Sequence, residues 1–223
     1  KAARELRDRL RAREAELAET IHEVFPPRLV VKNTYNYRVK ADGSPYASYL
    51  RHVEEYPRLQ FNRSGTKYRV FELKPFNIGS PSQRVERLLL LGWKPRNFTP
   101  KGSPKVDEES LLSFAEATDN KAVEAMAEWL VCNGRANMLE NWLGAVQDDS
   151  RIHGRVFSCG AGTRRMRHTN PNTANIPGNN APYGRECRAL WGVETNTGRR
   201  FIGCDAKGLE GRVMVHYLGE PAA

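Results

Sequence analysis

Residues 204–218 read CDAKGLEGRVMVHYL and lie close to the end of the 223-residue sequence. The run FIGCD at 201–205 is apolar until it stops at an acid, which predicts a strand that ends at Asp205. The following GLEGRVMVHYL predicts a short helix. A carboxylate at a strand-to-helix junction is well placed to hold a hard cation such as Mg²⁺. A metal that takes part in a reaction usually has more than one carboxylate, so Asp205 needs a partner that this stretch does not supply.

The composition is that of a globular protein with excess positive charge. Hydrophobic residues make up 39% and charged residues 27% of the chain, and the net charge is +9. Residues 151–223 hold eleven Lys and Arg against five Asp and Glu, a net charge of +6. This charge indicates either a generally basic surface or a polyanionic partner, most often nucleic acid. No apolar run approaches the roughly 20 residues that cross a bilayer, so no membrane partner is expected.

The four cysteines, Cys132, Cys159, Cys187 and Cys204, form no CxxC pair. We expect reduced thiols in a cytosolic protein, and a zinc site built from the cysteines and His216 is the alternative. The chain begins with Lys rather than Met, so we expect either processing or an excerpt from a longer chain.

Hydrophobic patterning predicts an α+β protein with three regions, at residues 1–75, 76–150 and 151–223. The first begins with a helix over residues 1–25 that Pro26 and Pro27 end. Residues 28–75 are expected to be irregular, with a candidate strand at 68–71.

The second region is predicted to be helical. A helix over 81–93 has Ser82 as its candidate cap. Its predicted buried face is Val85, Leu88, Leu89 and Leu91. A short helix follows at Asp107–Ala115, and a long helix covers 120–146, with Asn133-Gly134 as a candidate interruption. In the third region, RIHGRVF at 151–157 alternates like a strand.

The stretch RIHGRVFSCGAGTRRMRHTNPNTANIPG, residues 151–178, is dense in hydrogen-bond donors. Arg and Lys neutralise phosphates, and Arg and Asn also donate to base edges and sugars. The candidate DNA-binding residues are Arg164, Arg165, Arg167, His168, Asn172 and Asn175. A well-solvated polar loop is the alternative.

Four stretches, taken in order, resemble family A DNA polymerases. GTRRMRHTNPNTANIP (162–177) resembles the TGR…PNLQNIP segment of that family, and PYGRECRALWG (182–192) resembles the segment after it, in wording closest to the bacteriophage branch. FIGCDAKGLEGR (201–212) resembles motif A of the palm, D-x-S-x-x-E-x-R. Residues 76–111 resemble the stretch that leads into the thumb. The resemblance covers about residues 70–218 and implies a helical thumb at 76–150, followed by the first strands and helix of an incomplete palm.

The resemblance also implies roles for individual residues. Asp205 matches the aspartate that ligates both catalytic ions, and Ala206 matches the position whose carbonyl completes the metal shell. Leu209 matches the position that packs the incoming nucleotide, Glu210 the acid that excludes a ribose 2′-hydroxyl, and Arg212 the closing Arg of the motif. Arg165 matches the Arg of TGR, which reaches the minor groove at the primer end. Asn172 and Asn175 match the positions that hold the primer-template.

The implied reaction is addition of deoxynucleotides to a primer 3′ end. Two Mg²⁺ ions activate the primer hydroxyl and stabilise the leaving pyrophosphate, while the protein supplies positioning and charge stabilisation. The implied partners are primer-template DNA and deoxynucleoside triphosphates, and a processivity factor is a further candidate partner. The implied location is the cytoplasm of a bacterial or phage-infected cell.

Two residues depart from the motif. Lys207 stands where the family usually has Ser, and a cation at a helix N-terminus opposes the helix dipole. Gly211 stands where a side chain is usual, at a cost of about 1 kcal/mol relative to Ala in a helix.

The fingers helix with motif B and the palm segment with motif C, which follow motif A in this family, do not occur in the 223 residues. We therefore expect the chain alone to be inactive but to bind DNA in a salt-sensitive manner. The remaining fingers and palm would be supplied in cis or in trans. A split polymerase subunit and a non-catalytic DNA-binding module are the alternatives.

Overall fold

The computed structural model describes residues 1–192, 198–200, 202–204 and 206–219. They fall into two compact units, Lys1–Ala174 and Asn175–Ala223. The first contains α1 (Ala2–Val24), β1 (Arg28–Asn36), α2 (Ala47–Glu55), β2 (Arg58–Phe61), β3 (Lys67–Lys74), α3 (Pro81–Leu90), α4 (Glu108–Thr118), α5 (Lys121–Gly144), β4 (Arg155–Phe157) and β5 (Arg167–Thr169). The second contains α6 (Gly184–Ala189) and α7 (Leu209–Leu218), and a single 3₁₀ turn, Thr173–Asn175, spans the boundary. The predicted α+β class is confirmed.

The core of the first unit lies between α1 and α5. The helix predicted over residues 1–25 is confirmed as α1, and it buries Leu6, Leu10, Leu17 and Ile21. Charged pairs border this contact: the Arg11 guanidinium donates to Glu140 at 2.9 Å, and that of Arg13 donates to Glu128 at 2.8 Å. These partners run in opposite directions along the two helices, so α1 and α5 pack antiparallel.

The long helix α5 is continuous through Asn133 and Gly134, so the predicted interruption is wrong. Asn133 is tied into the packing because its amide donates to Glu14 of α1 at 2.8 Å. Gly134 costs some helix propensity, but burial of one face of α5 against α1 and α4 outweighs that loss. The helix starts at an Asn120 cap, whose side chain accepts from the backbone N–H of Ala122 at 3.1 Å.

Residues 28–74 are not irregular, which corrects the prediction for this segment. β1, β3 and β2 form an antiparallel sheet in the order β1-β3-β2, and the candidate strand at 68–71 is part of β3. A bulge between Val31 and Asn33 shifts the register of β1. The bulge breaks the strict two-residue alternation by which sequence patterns reveal strands, so hydrophobic patterning does not indicate β1.

α2 covers one face of this sheet with aromatic side chains. His52 Nδ1 lies 2.8 Å from the hydroxyl of buried Tyr68 and its ring stacks on Tyr35 at 4.3 Å between centroids. Tyr49 packs edge-on against Tyr68 at 5.1 Å. Aromatic pairs of this kind contribute beyond the area they bury, so they attach α2 to the sheet.

α3 starts where it was predicted to start but differs from the prediction in its N-cap residue and in its buried face. It begins at Pro81, with Ser80 rather than Ser82 at the N-cap position, because proline's fixed φ suits the first helical residue. Leu88 is buried as predicted, but Leu89 and Leu91 are 49% and 39% exposed.

Two arginines replace the missing part of that buried face. Arg84 and Arg87 are each only 7% exposed. Arg84 donates to the carbonyl of Ile78 at 2.6 Å and Arg87 to that of Pro26 at 2.9 Å. Burial lowers the pKa of both guanidinium groups, and the carbonyl contacts partly offset this desolvation. Hydrophobic patterning cannot anticipate an arginine held in this way.

α4 starts at a capping box. The Asp107 carboxylate accepts from the backbone N–H of Ser110 at 3.1 Å, and the Ser110 hydroxyl accepts from the backbone N–H of Asp107 at 3.1 Å. The Lys105 ammonium lies 2.9 Å from the same carboxylate. Lys105 and then Ser110 lower the pKa of Asp107 to about 2.

The capping box predicts an acid-sensitive contribution to stability. Because the folded pKa of Asp107 is depressed, its stabilisation is present above the unfolded pKa, near 3.9, and is lost as the pH falls through about 2. Asp107→Asn retains a capping oxygen but does not titrate. At pH 5 the variant should be less stable by about 1 kcal/mol, and the difference should vanish near pH 2. Urea unfolding at pH 5, 3 and 2 measures it, and a pH-independent difference would contradict the assignment.

In the second unit the predicted helix after Asp205 is confirmed as α7. The strand predicted before it is not: residues 202–204 adopt no regular secondary structure, and Phe201 and Asp205 lie outside the described residues. A strand exists only where another strand accepts its hydrogen bonds, so an apolar run is not sufficient. No helix in the described part of the chain is both long and apolar enough to cross a membrane.

Candidate nucleic-acid interface

The Arg-rich stretch forms a β-hairpin in the first unit. β4 and β5 pair antiparallel, with Arg155 opposite Thr169 and Phe157 opposite Arg167. The guanidinium groups of Arg155 and Arg167 lie 5.8 and 5.1 Å from the centre of the Phe157 ring. Cation–π contacts of this length are attractive, so Phe157 orients two positive charges on the hairpin surface.

A compact loop closes the hairpin and positions Arg164. The backbone N–H of Ala161 donates to the carbonyl of Arg165 at 3.1 Å, and the backbone N–H of Arg164 donates to the carbonyl of Ala161 at 2.9 Å. Arg164 itself has a positive φ of 61°. A Cβ on Gly160 would lie 2.8 Å from Cβ of Arg167 and 2.9 Å from Cβ of Phe157. Glycine is therefore required for the loop to pass this close to the strands.

The hairpin exposes three of the six predicted DNA-binding residues. Arg164, Arg165 and Arg167 are exposed, whereas His168 is half-buried, and its Nδ1 has no hydrogen-bond partner among the described residues. The sequence has no Asp or Glu from Arg151 to Arg185, so no carboxylate within that stretch offsets the charge. Positive potential is consequently concentrated on one exposed feature.

A His–Asp hydrogen bond lies just before the hairpin. His153 Nε2 is 2.7 Å from Asp149, and the backbone N–H of Arg151 donates to the same residue at 3.0 Å. These contacts, with His153 first, lower the pKa of Asp149. The Asp149 carboxylate is therefore hydrogen-bonded to residues of its own turn.

Asn172 precedes the 3₁₀ turn and Asn175 is its last residue, and both are exposed. The Asn172 side chain accepts from the backbone N–H of Ala174 at 3.1 Å, so its oxygen is used structurally while its amide N–H₂ group is left to donate outward. Asn175 falls in the second unit, where the chain continues through Ile176 and Pro177.

Two further residues hold this segment and were not predicted from sequence. Arg188 of α6 donates to the carbonyl of Pro177 at 2.8 Å and reaches that of Ile176 at 3.5 Å. Gly184 lies so close to Gly178 that an added Cβ would overlap the Gly178 carbonyl oxygen. Long loop-to-helix contacts of this kind carry no periodic signal in the sequence.

α7 and the turn before it carry the described part of the predicted nucleotide site. Leu209 is 56% exposed, and Ala206 and Glu210 are also exposed. Arg212 donates from Nε to the carbonyl of Lys207 at 3.1 Å. This contact ties Arg212 to the turn before the helix, and Gly208 in that turn has a positive φ of 63°.

The predicted metal ligand Asp205 lies outside the described residues. Within the described ranges, no group of three or more His, Cys, Asp or Glu side chains is arranged to hold a metal ion. Cys132, Cys159, Cys187 and Cys204 are free thiols.

Comparison with known proteins identifies relatives of this chain. The family model for DNA polymerase family A matches residues 50–222. Two relatives are named DNA-directed DNA polymerase, one from Enterobacteria phage T3 and one from Escherichia phage T7. Their sequence identities to this chain are 31% and 30%, and each alignment covers 98% of this chain. The chain spans 36% of the length of each of them.

A solved structure shares the fold at lower identity. It is the POL domain of Pol1 from M. smegmatis in complex with DNA primer-template and dNTP, similar with a TM-score of 0.60 and 18% identity. The match covers 87% of this chain and 26% of that one. Since the family model spans most of the sequence and the motifs occur within it in order, this chain belongs to DNA polymerase family A.

Proposed function

We propose that this chain forms the thumb and the start of the palm of a DNA-directed DNA polymerase and binds primer-template DNA through the β4–β5 hairpin. The observation that carries the proposal is the exposed arginine cluster of the hairpin, in a stretch of sequence free of acids. Membership of the family supports it, as does the primer-template named with the M. smegmatis structure.

The physical argument for duplex binding rests on charge and shape. Arg164 projects from a tight loop, while Phe157 orients Arg155 and Arg167. A narrow two-stranded feature that carries several guanidinium groups matches a groove bordered by phosphates. Asn172 and Asn175 add neutral donors to sugars and base edges. Neutralised phosphates release counterions, so the affinity should fall steeply with salt.

The nucleotide and metal roles stay proposals for the residues around α7. Leu209, Glu210 and Arg212 would contact the incoming deoxynucleoside triphosphate. Mg²⁺ would bind Asp205 and the carbonyl of Ala206. The described residues do not by themselves form a metal site. The motif B and motif C groups absent from these 223 residues would be needed as well, so we expect the isolated chain not to extend a primer.

The test is a titration of labelled primer-template DNA with the protein. Binding is measured by fluorescence anisotropy at several salt concentrations. Binding should be detected at 50 mM salt, and the logarithm of the affinity should fall linearly with the logarithm of salt, with a slope of roughly −3 for three or four neutralised phosphates. Primer extension with Mg²⁺ and all four deoxynucleotides should yield no product. The absence of duplex binding would overturn the proposal, and robust extension would show that the 223 residues contain a complete site.

A further inference from the structure

The three-stranded sheet of the first unit has one face that no described element covers. Cross-strand partners point to the same side of a sheet, so the register assigns ten residues to this open face: Leu29, Val31, Thr34, Asn36, Arg58, Gln60, Lys67, Arg69, Phe71 and Leu73. The opposite face carries Tyr35, Tyr68 and Val70, and the aromatic side chains of α2 pack on it. The open face therefore lies on the side of the sheet opposite the aromatic cluster that attaches α2.

One half of the open face is apolar. Leu29, Val31 and Leu73 are 41%, 47% and 60% exposed, and Phe71 beside them is only half-buried. The register pairs Leu29 with Leu73 and Val31 with Phe71, so the four side chains form a continuous block across β1 and β3. A contiguous apolar block left in solvent is a common mark of a binding surface.

The other half of the open face is basic. Lys67 and Arg69 are two residues apart on β3, so their side chains leave the same face at points about 7 Å apart. Arg58 of β2 stacks its guanidinium on Phe71 at 5.4 Å from the ring centre, where the apolar and basic halves meet. None of the ten residues is acidic, and residues 28–74 contain ten Lys and Arg against four Asp and Glu, a net charge of +6.

We propose that the open face binds single-stranded DNA. Lys67 and Arg69 contact successive phosphates, Phe71 and the guanidinium plane of Arg58 stack on bases, and the apolar block receives the neighbouring base faces. Basic side chains beside aromatic stacking surfaces are the usual means of holding single strands without sequence preference. Thr34, Asn36 and Gln60 supply hydrogen bonds along the same path. In a polymerase, such a surface would hold an unpaired stretch of template.

The combination of the two halves favours a single strand over the other polyanions. Duplex DNA presents phosphates and sugars on its outside and keeps its base faces stacked, so the apolar block would remain unmatched. An acidic peptide could satisfy Lys67 and Arg69 but has no planar bases for Phe71 and Arg58. Only an unpaired strand offers phosphates and exposed base faces at every repeat.

The experiment compares variants of the full chain. Lys67→Gln with Arg69→Gln removes two charges from the open face. Lys40→Gln with Lys74→Gln removes two charges from exposed positions outside it. A labelled 12-nucleotide single strand is titrated by anisotropy at several salt concentrations. The open-face pair should bind it roughly tenfold more weakly at 50 mM salt, with a salt dependence shallower by about 1.4. The control pair should stay within about twofold of the unchanged protein. Since all four positions are exposed, both pairs should fold.

Three further measurements decide the proposal. Phe71→Leu keeps an apolar side chain but removes the ring, and it should weaken single-strand binding severalfold. The affinity of the open-face pair for blunt duplex DNA should change by less than about twofold. If the open-face and control pairs lose single-strand affinity equally, or if a poly-glutamate peptide competes as well as the oligonucleotide, the proposal is overturned. Failure here leaves the hairpin proposal standing, since that depends on duplex binding by the unchanged protein.

Discussion

Leu139→Ala should lower the free energy of unfolding by about 3–4 kcal/mol, within the 2–5 kcal/mol typical of buried leucines. Leu139 is fully buried on α5, the helix that packs against both α1 and α4. The substitution removes three carbon atoms from a close-packed interior, and the surrounding helices can only partly collapse into the space. Because folded domains are stable by only about 5–15 kcal/mol, the loss is a large fraction of the total. Urea unfolding followed by far-ultraviolet circular dichroism measures it.

The matched control is Leu90→Ala at the end of α3. Leu90 is 61% exposed, so the same chemical change should alter stability by less than about 0.5 kcal/mol. A cost under about 1 kcal/mol for Leu139→Ala would show that the buried face of α5 is not the centre of the core.

Replacing Arg164, Arg165 and Arg167 together by Gln should weaken primer-template binding on the order of a hundredfold at 50 mM salt. Each phosphate contact contributes about 0.9 to the salt dependence of duplex binding, so the slope should become shallower by about 2.7 if all three contact phosphates. Gln keeps a polar side chain of moderate length and removes the charge. Anisotropy titrations between 50 and 300 mM salt give both quantities.

A second triple variant controls for net charge. Arg4→Gln, Arg51→Gln and Lys121→Gln remove the same three charges from exposed positions outside the hairpin and the open face. This variant should bind duplex DNA within about threefold of the unchanged protein, because screening limits distant charges. Equal losses in the two triple variants would mean that only net charge matters, and the hairpin assignment would be wrong.

The helical half of the fold was largely predictable. α1 and α5 show the 3–4-residue spacing of apolar side chains that marks a helix buried on one side, and Pro26 and Pro27 follow the end of α1. The acids at Asp107–Glu109 marked the start of α4, because carboxylates satisfy and complement a helix N-terminus. These signals are local, so one sequence is enough to find them.

The sheet and the strand before Asp205 were not predictable in the same way. β1 pairs with β3 across an intervening helix and contains a bulge, so its alternation is interrupted and its partner is distant in sequence. The apolar run before Asp205 looked like a strand, yet residues 202–204 are not one in the described chain. Strand formation depends on a neighbour, and no local pattern reports whether that neighbour is present.

For the candidate site, sequence supplied the residue types, their order and the family, and the family assignment is confirmed. The motifs are short and contiguous, so they can be recognised in the sequence without any knowledge of how the chain packs. Tertiary structure decided how those residues are presented: Phe157 orients Arg155 and Arg167, Asn172 uses its oxygen on the backbone, and Arg188 holds the loop after Asn175. It also revealed the open face, because which side of a sheet a residue occupies is set by strand register, and register is a property of paired strands rather than of either sequence alone.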